Sequence, residues 1–156
     1  MKSVGLSDIY VIGIYIMYNC LYALLSYPLG KLGDKIGLKK VFLFGLLLFA
    51  LVYTGMAFNA SFYVYLLLFI IYCIYAAATD GISKAWISNI CNKSETGTAI
   101  GTMAAFQSIA TMIASSTAGI IWYYFGSNVL FLFSATVSIL VFFYLGIVFR
   151  NIRKVF

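Results

Sequence analysis

The chain has 156 residues, of which 64% are hydrophobic and only 9% charged, with a mean hydropathy of +1.04. A soluble domain carries charge on about a quarter of its residues, so these proportions exclude one and place the chain in a lipid bilayer. The net charge of +6 does not point to nucleic acid, because a nucleic-acid-binding protein gathers its Lys and Arg on one soluble face, and here they lie between and after apolar runs.

No charged residue occurs from Ile9 to Gly30, and Ser7 and Asp8 stand just before that run as helix-capping residues. The first predicted span is therefore 8–29. Its apolar region is too long for a cleavable signal peptide, and no small-x-small cleavage site follows it. Pro28 is expected to weaken the last turn and help to stop the helix.

Residues 30–40, GKLGDKIGLKK, form the polar joint to the next span. Gly30 and Gly37 allow backbones to approach closely. Asp34 is an anion placed where a neighbouring helix N-terminus can receive it, an attraction of about 0.3 to 2 kcal/mol. Lys39 and Lys40 end the joint.

Charge is absent again from Val41 to Thr79, a stretch long enough for two spans. Asn59 and Ser61 supply the turn and cap residues between them, giving a second span at 38–58 and a third at 61–79. Asn59-Ala60-Ser61 matches a glycosylation sequon, but so short a membrane-hugging loop disfavours its use. The polar residues Asp80, Lys84, Lys93 and Glu95 lie in 80–96, the longest predicted loop. The chain is then free of charge from Gly97 to Phe149, with a break at 125–128 between a fourth span, 98–123, and a fifth, 128–149. The expected fold class is all-α: a polytopic bundle of five transmembrane helices in a single domain, 1–156.

The cations fix an expected orientation. Lys31, Lys35, Lys39 and Lys40 lie in the first joint, Lys84 and Lys93 in the third, and Arg150, Arg153 and Lys154 in the tail, nine of the ten Lys and Arg in all. Positive residues concentrate on the cytoplasmic side, so the C-terminus is expected in the cytoplasm and, after five crossings, the N-terminus outside. The expected localisation is multi-pass, in the cell (plasma) membrane. An outside start preceded only by Lys2 and Asp8 would be natural if further helices once came before it.

The spacing Gly30-x-x-x-Asp34-x-x-Gly37-x-Lys39-Lys40 resembles the loop signature of the major facilitator superfamily (MFS) of secondary transporters. The likeness extends to residues 79–85 (TDGISKA), 95–101 (ETGTAIG) and 118–122 (AGIIW) before Phe125-Gly126. These are similar to the carboxy-terminal half of efflux-like permeases of that family. There an acid and a glycine end the tenth helix, a turn rich in Thr and Gly opens the eleventh, and small residues with Gly and Trp close it. The resemblance covers about 10–149 and implies that the five spans are helices eight to twelve of a partial MFS fold. The family's cytoplasmic termini agree with the orientation read from charge.

What the resemblance implies for function follows from those positions. The family's loop carboxylate sits at the start of the eleventh helix and locks the cytoplasmic gate, so Gly30, Asp34, Gly37, Lys39 and Lys40 become the expected gate. This chain has Lys where the family usually has Arg, and Lys cannot make the same bidentate contacts. The family's tenth helix lines the central cavity. Tyr65, Tyr72 and Asp80 share one helical face, which makes them candidates for substrate or proton contact. An acid within a membrane span is a functional candidate in its own right, although a shift of one turn would leave Asp80 in the headgroup region with a structural role. Relatives often have Glu there.

Two amides join the candidates for solute contact, Gln107 in the fourth span and Asn19 at mid-depth in the first; either needs a partner, because an unpaired amide in hydrocarbon is costly. Gly97, Gly101, Ala104, Ser108, Thr111, Ser115 and Gly119 form a stripe of small residues suited to close helix packing in lipid. Tyr10, Trp122, Tyr123 and Tyr124 lie near span ends, as an aromatic belt requires, and Tyr15, Tyr18 and Tyr22 lie deeper.

Cys20, Cys73 and Cys91 are odd in number and lack paired or metal-ligand spacing. No nucleophile-base pair or phosphate-binding glycine loop is present, so neither an enzyme nor a cofactor or metal is expected. The expected function is transport of a small solute, cation-coupled, by a truncated or split permease. The expected partners are the lipid bilayer, the unidentified solute, and either a missing N-terminal half or a second copy. The alternative is a small membrane interaction or assembly protein that transports nothing and docks through the stripe.

Overall fold

The computed structural model describes residues 8–58 and 62–152, and every element among them is helical. Helix α1 is Asp8–Ile36, α2 is Leu38–Ala57, α3 is Phe62–Ile90 and α4 is Thr96–Ile152. Helices are what such a composition demands, since lipid offers no partner to backbone N–H and C=O groups and each span must satisfy its own. Leu38–Ala57, Tyr63–Ile90 and Thr96–Arg150 are long and apolar enough to cross a membrane.

The joints are shorter than the sequence suggests. Helix α1 does not end at Pro28 but runs through it to Ile36, so the expected joint at 30–40 is in fact helical on both sides of one residue, Gly37. The physical reason lies in the charges: Lys31, Asp34 and Lys35 are three and four residues apart, a spacing that puts them along one side of a helix, and the helix carries them past the apolar region. The Gly37 amide closes α1 by donating to the Gly33 carbonyl at 2.9 Å, and the Gly37 carbonyl opens α2 by accepting from the Lys40 amide at 3.1 Å. Its φ of 99° and ψ of 130° turn the chain between the two.

The third span likewise extends beyond Thr79 to Ile90, because the polar residues there stay within the helix: Ser83 donates its hydroxyl back to the Thr79 carbonyl. The loop expected at 80–96 shrinks to 91–95. There the Asn92 carbonyl accepts both the Glu95 amide at 2.9 Å and the Thr96 hydroxyl at 3.0 Å, which starts α4. The break between the second and third spans involves Asn59, Ala60 and Ser61, which lie outside the described residues, as do the sequon they form, Ser7, Arg153 and Lys154.

Helix α4 has 57 residues, about 85 Å at 1.5 Å per residue, far more than the roughly 30 Å hydrocarbon layer. It is interrupted at Gly126, whose φ of 82° and ψ of 172° are non-helical, inside the break expected at 125–128. Three contacts show that the part beyond Gly126 runs antiparallel to α2. The Phe149 and Trp86 rings meet at 5.1 Å beside Lys39 near the start of α2, Ser138 bonds the Leu46 carbonyl at its middle, and Phe131 meets Tyr53 near its end.

The tightest packing lies between α2 and α3, which also run antiparallel. An added Cβ on Gly45 would stand 2.7 Å from Thr79 Cγ2, and one on Gly55 would stand 2.8 Å from Leu68 Cδ2. These glycines let the helices approach closely, as small residues do in lipid. Val41, Ala78 and Ile82 form a fully buried cluster with Leu29, Leu38 and Phe42 against it. Helix α1 lies beside α3, pointing the same way. The part of α4 before Gly126 has no buried residue and is exposed along nearly all its length.

Candidate functional site

Tyr18 and Tyr22 lie one turn apart on α1 and stack with ring centroids 6.3 Å apart. Tyr72 on α3 meets Tyr18 at 5.9 Å, and Tyr75 meets Tyr72 at 5.4 Å. At the edge of this group the Tyr22 hydroxyl donates to Asp80 Oδ2 at 3.5 Å, the outer limit of a hydrogen bond. The rings continue across the molecule: Tyr75 to Phe49 at 4.8 Å, Phe49 to Tyr53 at 4.0 Å, Tyr53 to Phe131 at 5.8 Å and Phe131 to Trp122 at 6.2 Å. Such an aromatic surface offers π-faces and phenol groups beside one carboxylate, which suits a solute with apolar area and either a hydrogen-bonding or a cationic group.

Two of the expected contact residues, Tyr72 and Asp80, are therefore together, joined by Tyr18 and Tyr22 from α1. Tyr65, two turns before Tyr72, is half-buried and stands apart from the ring group. Asn19 is exposed and donates its amide at 2.8 Å to the Tyr15 carbonyl of its own helix. Gln107 is exposed on the outlying part of α4. Tyr75, Phe49 and Tyr53 were not legible as site residues. The i, i+3 spacing of Tyr72 and Tyr75 was the available signal, but the abundance of aromatics obscured it.

The residues of the expected gate are spread out. Gly30 has open space around it, and Asp34 is exposed with no hydrogen bond or ion pair among the described residues. Helices α1 and α4 share at most a marginal contact, so Asp34 and the start of α4 are not brought together. Lys39 instead turns inward: its Nζ lies 5.7 Å from the Trp86 ring centroid and 5.3 Å from that of Phe149. Lys40 is exposed beside it.

The small-residue stripe faces outward. Gly97, Gly101 and Gly119 have nothing within 4 Å of an added Cβ, and Ser108 and Ser115 are exposed. Most hydroxyls of this part of α4 are satisfied by its own backbone, as where Ser108 donates to the Ala104 carbonyl at 2.9 Å and Thr111 to the Gln107 carbonyl at 2.8 Å. Such back-bonding lets polar side chains sit in an apolar medium without a partner helix. The three cysteines are free thiols, with Cys73 buried and Cys20 exposed.

The family model described as Major Facilitator Superfamily matches residues 1–155. The chain belongs to the major facilitator superfamily. That family is one of membrane transporters, and the long apolar helices fit a multi-pass membrane protein. An uncharacterized MFS-type transporter of Methanocaldococcus jannaschii is 36% identical over 111 residues, which is 71% of this chain and 28% of the relative. The match thus spans under a third of the relative's length. No solved structure matches the chain significantly.

Proposed function

We propose that this superfamily chain is the carboxy-terminal part of a secondary transporter that moves a small solute by coupling to a cation. In this reading the chain crosses the plasma membrane five times, with the two parts of α4 as the fourth and fifth crossings. The N-terminus is then outside and the C-terminus in the cytoplasm, which agrees with the collection of Lys39, Lys40 and Arg150 around one cavity at one end of the bundle.

The observation that carries the reading is the aromatic face shared by α1 and α3 with Asp80 at its edge. An ionisable group on an apolar helix, in contact with a second helix, is suited to take up and release a cation as the two helices move. Complete transporters of this fold rock two halves about a site near the midplane. One half cannot enclose such a site, so a missing N-terminal half, or a second copy, completes it. The outward small-residue stripe of α4 is available for that contact.

The test compares gradient-driven flux of labelled small solutes in proteoliposomes holding the purified chain alone with flux when an N-terminal half is co-reconstituted. Flux only in the second supports the reading, and flux by the chain alone overturns its split nature. The exposed stripe also favours a second reading, a docking protein without transport. Replacing Asp34 and Asp80 separates the two, since this abolishes flux in a transporter and leaves a docking protein working.

A further inference from the structure

Where α2 begins, a cavity of about 520 Å³ opens among the four helices, with Ile36 lining it from the end of α1. Lys39 and Lys40 line it from α2, Trp86 from α3, and Phe149 and Arg150 from α4, with Leu43 one turn deeper. Three cations thus face one space, and among the described residues no carboxylate lines it. The lining is also graded, with the charges at the helix ends and Leu43 and Phe149 toward the apolar body of the bundle. The Lys39 ammonium is held over the Trp86 and Phe149 rings; it is anchored there without being neutralised, because a ring face attracts a cation but carries no net charge.

The start of α2 adds to the field. Gly37 caps it with no side-chain hydrogen bond, so the positive end of the helix dipole also favours an anion here. An anion with an apolar extension fits this cavity, and its position at the ends of apolar helices selects the source of that anion. A basic pocket between transmembrane helices at the membrane surface is where the headgroup of an acidic phospholipid is held.

We propose that this cavity binds the phosphate headgroup of an anionic phospholipid from the leaflet on the Lys-rich side. Lys40 and Arg150 hold the phosphate, Lys39 closes the site from its seat on the two rings, and the acyl chains run down past Leu43. This site is separate from the aromatic surface around Asp80 and stands whether or not the chain transports a solute.

Trp86 reports on the cavity directly. The full chain carrying Trp122→Phe, which leaves Trp86 as its tryptophan, is reconstituted in phosphatidylcholine vesicles containing a minor fraction of dibrominated phosphatidylglycerol, or of dibrominated phosphatidylcholine as control. The expected result is stronger quenching of Trp86 by the anionic lipid than by the control at equal fraction. Lys40→Gln and Arg150→Gln each lower the apparent affinity roughly fivefold, from about 1 kcal/mol per surface cation. Retained helical circular dichroism and unchanged quenching by the control lipid show that the variants are folded. Equal quenching by the two lipids in the parent chain overturns the proposal. So does loss of the excess quenching on adding inorganic phosphate, which would assign the cavity to a soluble phosphate.

Discussion

The hydroxyl of Tyr22 on α1 points to the carboxylate of Asp80 on α3 at 3.5 Å. It joins two helices that run side by side, and at that length it is weak. A hydrogen bond of ordinary geometry contributes a net of about 0.5–1.5 kcal/mol, so Tyr22→Phe is expected to lower the thermal stability of the chain in detergent only slightly. Under the proposed function, Asp80→Asn is expected to leave it folded while abolishing flux. A large loss of thermal stability in either variant would show that the pair holds α1 on α3 instead.

Gly45 gives a sharper expectation about packing. Its added Cβ would lie 2.7 Å from Thr79 Cγ2 and 3.5 Å from the Ala78 Cβ. Thr79 cannot swing aside freely, because its hydroxyl is bonded to the Tyr75 carbonyl at 3.0 Å. Gly45→Ala is therefore expected to destabilise by about 1–3 kcal/mol, the usual effect of overpacking. Gly101→Ala, with nothing within 4 Å, is expected to be neutral or stabilising because alanine is the better helix former. Melting of both variants in detergent checks the contrast.

Gly37 and Gly30 both belong to the loop signature, but the structure gives them different roles. With φ at 99° and ψ at 130°, Gly37 occupies backbone territory that side chains rarely enter. Gly37→Ala is expected to destabilise by about 1–3 kcal/mol through strain. Gly30 lies within α1 with open space around it, so Gly30→Ala is expected to be tolerated. Equal melting losses for both would contradict this assignment.

Much of this fold was legible because charge-free segments and helices coincide: 38–58 became Leu38–Ala57, and the glycine in the expected break at 125–128 is where α4 leaves helical geometry. What misled was polarity near the span ends. Lys31, Asp34 and Ser83 read as loop residues, yet a helix accommodates them once it has left the hydrocarbon or when a hydroxyl bonds its own backbone. The close-packing glycines were hidden for another reason. Helix α2 is so uniformly apolar that Gly45 and Gly55 marked no distinct face, whereas small residues on α4 drew notice and pack against nothing among the described residues. Of the candidate site, Tyr72 and Asp80 were legible from their shared helical face. Tyr18 and Tyr22 complete it from another helix, and no local spacing announces that pairing.

Ser138 is 6% exposed and donates its hydroxyl to the Leu46 carbonyl at 3.1 Å, across the contact between α4 and α2. Interhelical hydrogen bonds in membrane proteins average only about 0.6 kcal/mol. Ser138→Ala is accordingly expected to shift the melting temperature slightly downward, while Ser138→Leu, which must push α4 off α2, is expected to shift it far more. Equal shifts would mean that the hydroxyl, not the close approach of the helices, holds that contact.

The side on which the joints lie can be tested at Cys91, which is partly exposed in the short turn between α3 and α4. Lys39 lies against Trp86 at the end of α3 that leads to this turn. A thiol placed at position 39 and the native Cys91 should therefore react from the same face of the membrane, whichever face that is. Ser127 lies just past the Gly126 break, at the end where Phe131 meets Tyr53, so a thiol there should react from the opposite face. The expected pattern is that an impermeant maleimide, applied to sealed vesicles with Cys20 and Cys73 replaced, labels 39 and 91 together and 127 only when the vesicles are inverted. Labelling of 39 and 127 from one face would mean that the first part of α4 does not cross the bilayer, and the five-crossing topology would fail with it.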